Sequence, residues 1–322
     1  GFLYLSNGDG GPGGDPHGNG QVVDKSLFSV VMRIDVDQVG GGVSHPIRRQ
    51  PREIVSLPVG VASSYTQNYF IPNDNPWVED PAPVPPAEST FMEEIYACGL
   101  RSPHSMQWDP VTGQVWLGDV GQDTREELDL FVLDPANQIS PEEGLNFGWK
   151  LREGTLGSSL PESAPGVEVP PVLDYLRAQG SCVISGGVYR GEQFDADLGG
   201  KVLFGDNRSA RIWSLDYREG FPPVTKELAV LYDNGVLGGG NVRGLTNFCR
   251  DQDGEVYLLY SAGPNYHTGR IYSLQPVAAT PEPPSLLSET GAFTDLASLS
   301  PASFLLPYTV NSQLWSDRAV KS

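Results

Sequence analysis

The chain has 322 residues, 40 of them acidic and 21 basic, and its net charge of −19 without a dense basic cluster argues against a nucleic-acid partner. No apolar run approaches the roughly 20 residues that a membrane-spanning helix needs. The 38 glycines and 28 prolines favour a turn-rich, all-β fold. Three cysteines without a CxxC pair give no support for a zinc site or a haem attachment within the chain.

Cys98, Cys182 and Cys249 are each expected to pack as small buried apolar residues. A single disulfide in an oxidising compartment is the alternative.

The chain opens with a predicted strand, residues 1–5, that leads into a glycine-rich loop at residues 7–21. The glycines permit close approach of the backbone to a ligand. Asp9 and Asp15 in this loop offer the hard oxygen ligands that calcium prefers, although their spacing does not fit an EF-hand. A flexible hairpin loop is an equally good interpretation of the same residues.

Residues 38–92 form the least regular part of the sequence. The basic patch at residues 48–52 is interpreted as a solvated loop, and one short strand is predicted over residues 53–58.

The central stretch from Ile95 to Phe131 is predicted to form one antiparallel meander of four strands: a run into Leu100, then residues 105–108, 114–118 and 127–132. The Asp-Pro-Val-Thr-Gly turn at 109–113 supplies the fixed φ and the positive-φ position that a tight reversal requires.

The same turn-and-strand pattern recurs at residues 200–206 and 251–259, followed by strands near residues 211–215 and 270–274. Repeated four-strand units are the signature of propeller blades. The uneven spacing predicts insertions between the blades.

An ordered set of motifs resembles the soluble PQQ-dependent sugar dehydrogenases, the glucose, aldose and sorbosone dehydrogenase family, over residues 1–276. The superfamily also includes the non-enzymatic hedgehog-interacting proteins. The motifs are the loop at 7–21, Gly-Leu-Arg-Ser-Pro at 99–103, Trp-Leu-Gly-Asp-Val-Gly-Gln at 116–122, Glu-Glu-Leu-Asp at 126–129, Gly-Leu-Asn-Phe-Gly-Trp at 144–149, Ile-Ser-Gly-Gly-Val-Tyr-Arg-Gly at 184–191 and Phe-Gly-Asp-Asn-Arg-Ser-Ala-Arg-Ile-Trp at 204–213.

The resemblance implies a six-bladed β-propeller, of which this chain would hold about the last four blades. It further implies that PQQ lies over a calcium ion on one face of the propeller and takes a hydride from a sugar or related alcohol. A cation polarises quinone carbonyls, and arginines suit a polycarboxylate cofactor.

By resemblance, Arg101 would contact the quinone, with Ser102 beside it, and Arg208 and Arg243 would bind the cofactor's carboxylates. The plainer alternatives are that Arg101 pairs with a structural acid and that Arg243 is a surface residue.

In the glycine-rich loop, Asp9 and Gly10 would also lie at the cofactor. The carbonyls of Gly121 and Gln122 would ligate calcium, with Asp9 and Asp15 as further metal ligands. Which of the two loops binds calcium stays open.

The chain departs from the family pattern in three ways. The catalytic histidine expected by resemblance would lie upstream of Gly1, and the histidines of this chain occupy other positions: His17, His45, His104 and His267. The usual asparagine after the motif arginine is Ser102, and the usual cofactor lysine is Arg208. We therefore expect a fragment of a longer enzyme, inactive in isolation.

Beyond the predicted propeller, residues 277–285 form a proline-rich linker, and residues 286–322 resemble the start of a second module that leads to a c-type cytochrome segment. A tail with one short helix over residues 293–299 is the alternative. The resemblance implies a periplasmic or secreted protein with a tethered electron acceptor of cytochrome type.

Two function classes remain. The first is a PQQ- and calcium-dependent dehydrogenase, and the second is a propeller that serves only as a binding module, as in the hedgehog-interacting branch. That branch is rich in cysteine, so the three cysteines here favour the dehydrogenase.

Overall fold

The computed structural model describes residues 1–49, 68–79, 89–133, 143–230, 232–233, 240–241, 244–261, 269–276 and, apart from 296 and 299, 293–302. It divides into one compact unit, Gly1–Leu274, and a second, Gln275–Ser322. Arg243, His267 and the strand predicted over residues 53–58 lie outside the described residues.

Apart from one helical turn, α1 (Asp195–Leu198), the regular elements of the described residues are all strands. In chain order they are β1 (Phe2–Asn7), β2 (Val30–Asp35), β3 (Ser44–Pro46), β4 (Phe70–Pro72), β5 (Ile95–Cys98), β6 (Pro103–Trp108), β7 (Gln114–Asp119), β8 (Arg125–Val132), β9 (Leu145–Asn146), β10 (Arg152–Glu153), β11 (Leu156–Gly157), β12 (Val167–Glu168), β13 (Leu173–Leu176), β14 (Val183–Val188), β15 (Val202–Asp206), β16 (Arg211–Asp216), β17 (Val224–Val230), β18 (Tyr232–Asp233), β19 (Gly240–Asn241), β20 (Leu245–Arg250), β21 (Val256–Ser261), β22 (Gly269–Ser273), β23 (Phe293–Asp295) and β24 (Ser300–Pro301).

Four larger sheets follow one another along the first unit. The first runs β12-β9-β5-β2-β4-β3, with β1 also paired to β2. The second and third are four-stranded antiparallel sheets, β13-β8-β7-β6 and β14-β15-β16-β17, and the fourth is β20-β21-β22. The all-β prediction is confirmed, and the strands predicted over residues 105–108, 114–118 and 127–132 are present as β6, β7 and β8.

The predicted meander is wrong in one strand. β5 belongs to the first sheet, where it pairs antiparallel with β2 and parallel with β9. Gly99, at φ +79°, turns the chain between the two sheets. The fourth strand of the second sheet is instead β13, where Leu173 faces Leu128.

Apolar side chains pack the sheets face to face. Leu128 and Val183 belong to one buried cluster between the second and third sheets, and Ile184 and Phe248 belong to another between the third and fourth. Each of these sheets is therefore buried on a face that an isolated sheet would leave in water.

The described residues of the basic patch, Arg48 and Arg49, do not form the solvated loop that the sequence predicts. Arg48 forms an ion pair with Glu93, a carboxylate that is 3% exposed. Arg49 donates to the carbonyl of Ser89 at 2.7 Å. Buried acceptors recruit these guanidinium groups, because a buried carboxylate is strongly destabilising without a partner.

The second unit contains a short hairpin in place of the helix considered over residues 293–299. β23 pairs antiparallel with β24. The Asp295 carboxylate accepts the N–H of Ala297 at 2.8 Å and the hydroxyl of Ser298 at 2.8 Å, which stabilises a turn rather than a helix.

Two further expectations can be compared with the described residues. The cysteines do not share one environment: Cys98 is buried, Cys182 is half-buried, Cys249 is exposed, and all three are free thiols. In the part of the chain that the structure describes, no helix is long and apolar enough to cross a membrane.

The buried carboxylate of Glu94 leads us to predict how the stability of the protein depends on pH. Burial raises its pKa to about 7, and its side chain accepts the hydroxyl of Tyr69 at 3.0 Å. Because the folded state holds this proton more tightly than the unfolded state, the contribution of Glu94 to stability is lost as pH rises from about 4.5 to 7. We expect Glu94→Gln to remove about 3 kcal/mol of this pH dependence, measured by urea unfolding at several pH values.

Exposed Glu162 provides the control, since Glu162→Gln changes the same chemical group in water. A pH profile of Glu94→Gln that matches the profiles of the wild type and this control would show that Glu94 does not titrate differently on folding.

Candidate functional site

The site is organised around Asp119, the last residue of β7. Its carboxylate accepts the backbone N–H of Arg101 at 2.8 Å and that of Ser102 at 2.5 Å. The segment between β5 and β6 is thereby held against the end of β7. Asp119 is fully buried, and burial raises its pKa to about 7 against the opposing effect of these two hydrogen bonds.

Asp119 holds Arg101 at the edge of the second sheet. The half-buried guanidinium donates from Nε to Gln122 Oε1 at 3.0 Å and from Nη1 to the carbonyl of Val120 at 2.6 Å. It also lies 5.8 Å from the ring centroid of Trp149, within the range of a cation–π contact. Arg101 is therefore oriented by several neighbours while part of its surface remains open.

The glycine-rich loop docks on this arginine. The backbone N–H of Asp9 donates to the carbonyl of Arg101 at 2.8 Å, and that of Gly14 donates to Gln122 Oε1 at 3.1 Å. The Trp149 indole N–H donates to Asp9 Oδ2 at 3.0 Å. Three motifs that lie far apart in the sequence thus meet in one place.

Within the loop, Asp9 and Asp15 stabilise the backbone. Asp9 Oδ1 accepts the N–H of Gly11 at 2.9 Å. The two oxygens of buried Asp15 accept the N–H groups of Asn19 at 2.7 Å and Gly20 at 3.0 Å. Both carboxylates therefore stabilise the loop backbone in this structure, and their role as calcium ligands stays a prediction.

Gly10 adopts φ +81°, and a Cβ atom there would lie 3.2 Å from the ring of Phe28. This backbone conformation is one that residues with a side chain rarely adopt. Gly10 is thus needed for the shape of the loop, and its contact with a cofactor stays a prediction.

The carbonyl of Gly121 has a partner that the sequence did not predict. Arg177 Nη1 donates to this oxygen at 2.7 Å and to Glu126 Oε1 at 2.5 Å. Glu126 is fully buried, and burial raises its pKa to about 7. No sequence motif identifies Arg177, because Gly121 and Glu126 lie more than 50 residues away from it along the chain.

Arg208 lies beyond the end of β15 with an exposed side chain. Its backbone N–H donates to Asp206 Oδ1 at 2.9 Å. Burial raises the pKa of the Cys182 thiol to about 11, against the opposing effect of the positive charges of Arg177 and Arg208.

A second feature missed from the sequence lies beneath Arg101. Asp119, Glu127 and Asp129 are buried, and one carboxylate oxygen of each lies within 4.8 Å of the others. Asp119 faces Glu127 across the β7–β8 pair, and Asp129 is two residues further along β8 on the same face.

Comparison with known proteins agrees with the sheet arrangement. The model of the Glucose / Sorbosone dehydrogenase family matches residues 49–271. A solved structure described as glucose dehydrogenase superposes with a TM-score of 0.51 at 18% identity, over 86% of this chain and 61% of that one. This likeness supports the β-propeller fold.

Among curated proteins, the HIPL1 protein of Arabidopsis thaliana is 28% identical over 288 residues, which cover 82% of this chain and 36% of that protein. Aldose sugar dehydrogenase YliI of Escherichia coli (strain K12) is 28% identical over 96 residues, 29% of this chain and 21% of that enzyme. The chain thus spans about a third or less of the length of these relatives. From the match over residues 49–271, the chain belongs to the glucose/sorbosone dehydrogenase family.

Proposed function

We propose that this chain forms the cofactor-binding part of a PQQ-dependent dehydrogenase that oxidises sugars or related alcohols. The observation that carries the proposal is the convergence of Arg101, Gln122 and the glycine-rich loop, fixed by Asp119. Productive binding of a rigid cofactor requires side chains that several neighbouring residues hold in place.

The residue types suit PQQ, which carries several carboxylates. Arg101 and Arg208 would hold the cofactor, and Arg177 offers a third guanidinium at the carbonyl of Gly121. Guanidinium groups bind carboxylates through paired N–H donors. The chemistry that the bound quinone supplies is acceptance of a hydride from the substrate.

Calcium at the carbonyls of Gly121 and Gln122 remains part of the proposal, with one constraint. The Gly121 oxygen already accepts a hydrogen bond from the Arg177 guanidinium at 2.7 Å. A calcium ion at this oxygen would lie next to a positive charge, so its binding requires that Arg177 turn toward another acceptor. Asp9 and Asp15 are the alternative ligands.

The remaining assignments rest on the resemblance to the family and on no contact in the structure. We propose a sugar or related alcohol as substrate, a cytochrome-type protein as electron acceptor, and a periplasmic or secreted location. That residues 286–322 begin a module leading to such an acceptor also remains a proposal.

A propeller that serves only as a binding module is the second candidate. Its support is the similarity to HIPL1 and HIPL2 of Arabidopsis thaliana, each 28% identical over 82% of this chain, whose names state no enzyme activity. Two further features fit this candidate. The carbonyl of Gly121 is already bound by Arg177, and Ser102 replaces the family's usual asparagine. Binding of PQQ separates the two candidates.

The first test is the binding of PQQ by the purified chain in the presence of calcium, followed by equilibrium dialysis. We expect Arg101→Lys to weaken binding at least about tenfold, because lysine keeps the charge but loses the planar donor pair. Arg218→Lys is the matched control, since the Arg218 side chain is 75% exposed.

A folded wild-type chain that does not bind PQQ would favour the binding module. Equal affinities of Arg101→Lys and Arg218→Lys would remove Arg101 from the cofactor site. Circular dichroism on all three proteins confirms that each is folded.

The second test is turnover. We expect the isolated chain with PQQ, calcium and a panel of aldoses not to reduce a dye acceptor, because the histidines of the described residues have other roles or face water. His45 contacts Asn73 and Glu93, whereas His17 and His104 are exposed. Sugar-dependent dye reduction by this chain would show that its own residues supply the general base.

A further inference from the structure

The segment that joins β7 to β8, residues 120–124 and here called the β7–β8 loop, is wrapped around one carboxylate. Glu153 Oε1 accepts the backbone N–H groups of Asp123 at 2.7 Å, Thr124 at 2.7 Å and Arg125 at 3.1 Å. Glu153 Oε2 accepts the Thr124 hydroxyl at 2.5 Å. Successive N–H groups that converge on one anion form a strong anion-binding arrangement of the backbone. The shape of this loop therefore depends on a side chain 28 to 30 residues further along the chain.

Glu153 is held in its charged form by these contacts. Burial raises the pKa of its carboxyl, but the hydrogen bonds from the loop outweigh burial and lower the pKa below its ordinary value. The loop also approaches the carboxylate closely. A Cβ atom at Gly121 would collide with the carbonyl of Arg125 and lie 3.0 Å from Glu153 Oε1, so the fit requires a glycine.

The contact with Asp123 determines the direction of the Gln122 carbonyl. The peptide bond between these two residues is trans, so its N–H and its C=O point in opposite directions. Because the N–H donates to Glu153, the Gln122 oxygen is directed away from that carboxylate. In the described part of the chain no donor is bonded to the Gln122 oxygen, whereas the Gly121 oxygen accepts the Arg177 guanidinium. Of the two carbonyls predicted to bind calcium, that of Gln122 is therefore the available one.

The side chain of Gln122 connects the same loop to the rest of the candidate site. Its Oε1 atom accepts Arg101 Nε at 3.0 Å and the N–H of Gly14 at 3.1 Å. The backbone of Gln122 is fixed by Glu153 on one side, and its side chain joins Arg101 to the glycine-rich loop on the other. An anion bonded to an N–H group also polarises that peptide, which strengthens the carbonyl at its other end as an acceptor.

We propose that Glu153 is a positioning residue of the cofactor face, which holds the β7–β8 loop so that Gln122 presents its carbonyl to a cation and its side chain to Arg101. Glu153 acts through Gln122 and touches neither the cation nor PQQ. The inference rests on the proposed function, because the cation and PQQ belong to that proposal. It adds a residue that lies outside the family motifs and that only its contacts reveal.

The first part of the test uses the purified 322-residue chain without PQQ and calcium. Hydrogen exchange of the Asp123 and Thr124 amides is followed by NMR. We expect Glu153→Ala to accelerate this exchange roughly tenfold or more, because both N–H groups lose their acceptor. Glu153→Gln should lie between Glu153→Ala and the wild type, since its amide oxygen can still accept an N–H. Glu162→Ala is the matched control, because the Glu162 side chain is exposed.

The second part measures PQQ binding by equilibrium dialysis at increasing calcium concentration. For Glu153→Ala we expect the calcium concentration at half-maximal PQQ binding to rise about 10–100-fold, the range typical when an outer-shell partner of a metal ligand is removed. Saturating calcium should restore most of the PQQ affinity of Glu153→Ala but not that of Arg101→Lys. Glu153→Gln should recover part of the shift, and Glu162→Ala should match the wild type. Loss of folded protein alone would lower the amount of PQQ bound without changing the calcium requirement.

Unchanged exchange of Asp123 and Thr124 in folded Glu153→Ala would overturn the hold of Glu153 on the loop. Faster exchange with an unchanged calcium requirement would overturn its role at the cofactor face and would favour Asp9 and Asp15 as the calcium ligands. A folded wild-type chain that binds no PQQ would contradict the proposed function and the role of the loop in cofactor binding together. The exchange experiment contains no PQQ, so it still decides in that case whether Glu153 holds the loop.

Discussion

The carboxylate of Asp119 is the constraint on which the candidate site depends. From the end of β7 it accepts the N–H groups of Arg101 and Ser102, and it thereby joins the turn after β5 to the second sheet. The glycine-rich loop is attached in turn through the carbonyl of Arg101. Each later contact of the site depends on this first one, since Arg101 must be in place before Gln122 and Trp149 can orient its guanidinium.

The local elements of the fold could be predicted from the sequence, because short-range turn chemistry decides them. The Asp-Pro-Val-Thr-Gly turn identifies the β6–β7 hairpin, where the Asp109 side chain accepts the hydroxyl of Thr112 at 2.5 Å and Gly113 adopts φ +73°. Sheet membership could not be predicted in the same way. β5 joins β2 and β9 rather than its neighbours in sequence, and contacts between distant segments decide such pairings.

The candidate site likewise contains residues that the sequence could indicate and residues that it could not. Arg101, Gln122 and Asp9 belong to contiguous motifs, so the sequence could indicate them. Arg177 belongs to no motif, and only the structure reveals its contacts with Gly121 and Glu126. The buried cluster of Asp119, Glu127 and Asp129 was missed for another reason. The alternation of Glu127, Leu128 and Asp129 is typical of a strand whose acids face water, but in this fold residues 126–129 of β8 are buried on both faces.

Two arrangements are not indicated by the family motifs alone. The Arg177 guanidinium donates to a carbonyl of the predicted calcium loop, and three carboxylates are buried next to the segment that carries Arg101. Both set the local charge near Gly121 and Asp119, where we propose that a polyanionic cofactor binds.

The most direct test is a crystal structure of the chain grown with PQQ and calcium, with anomalous data to locate the metal. We expect PQQ density in contact with Arg101 and an anomalous peak at the carbonyls of Gly121 and Gln122 or at Asp9 and Asp15. A folded chain with PQQ bound away from Arg101, or with no PQQ at all, would contradict the assignment of this face as a cofactor site.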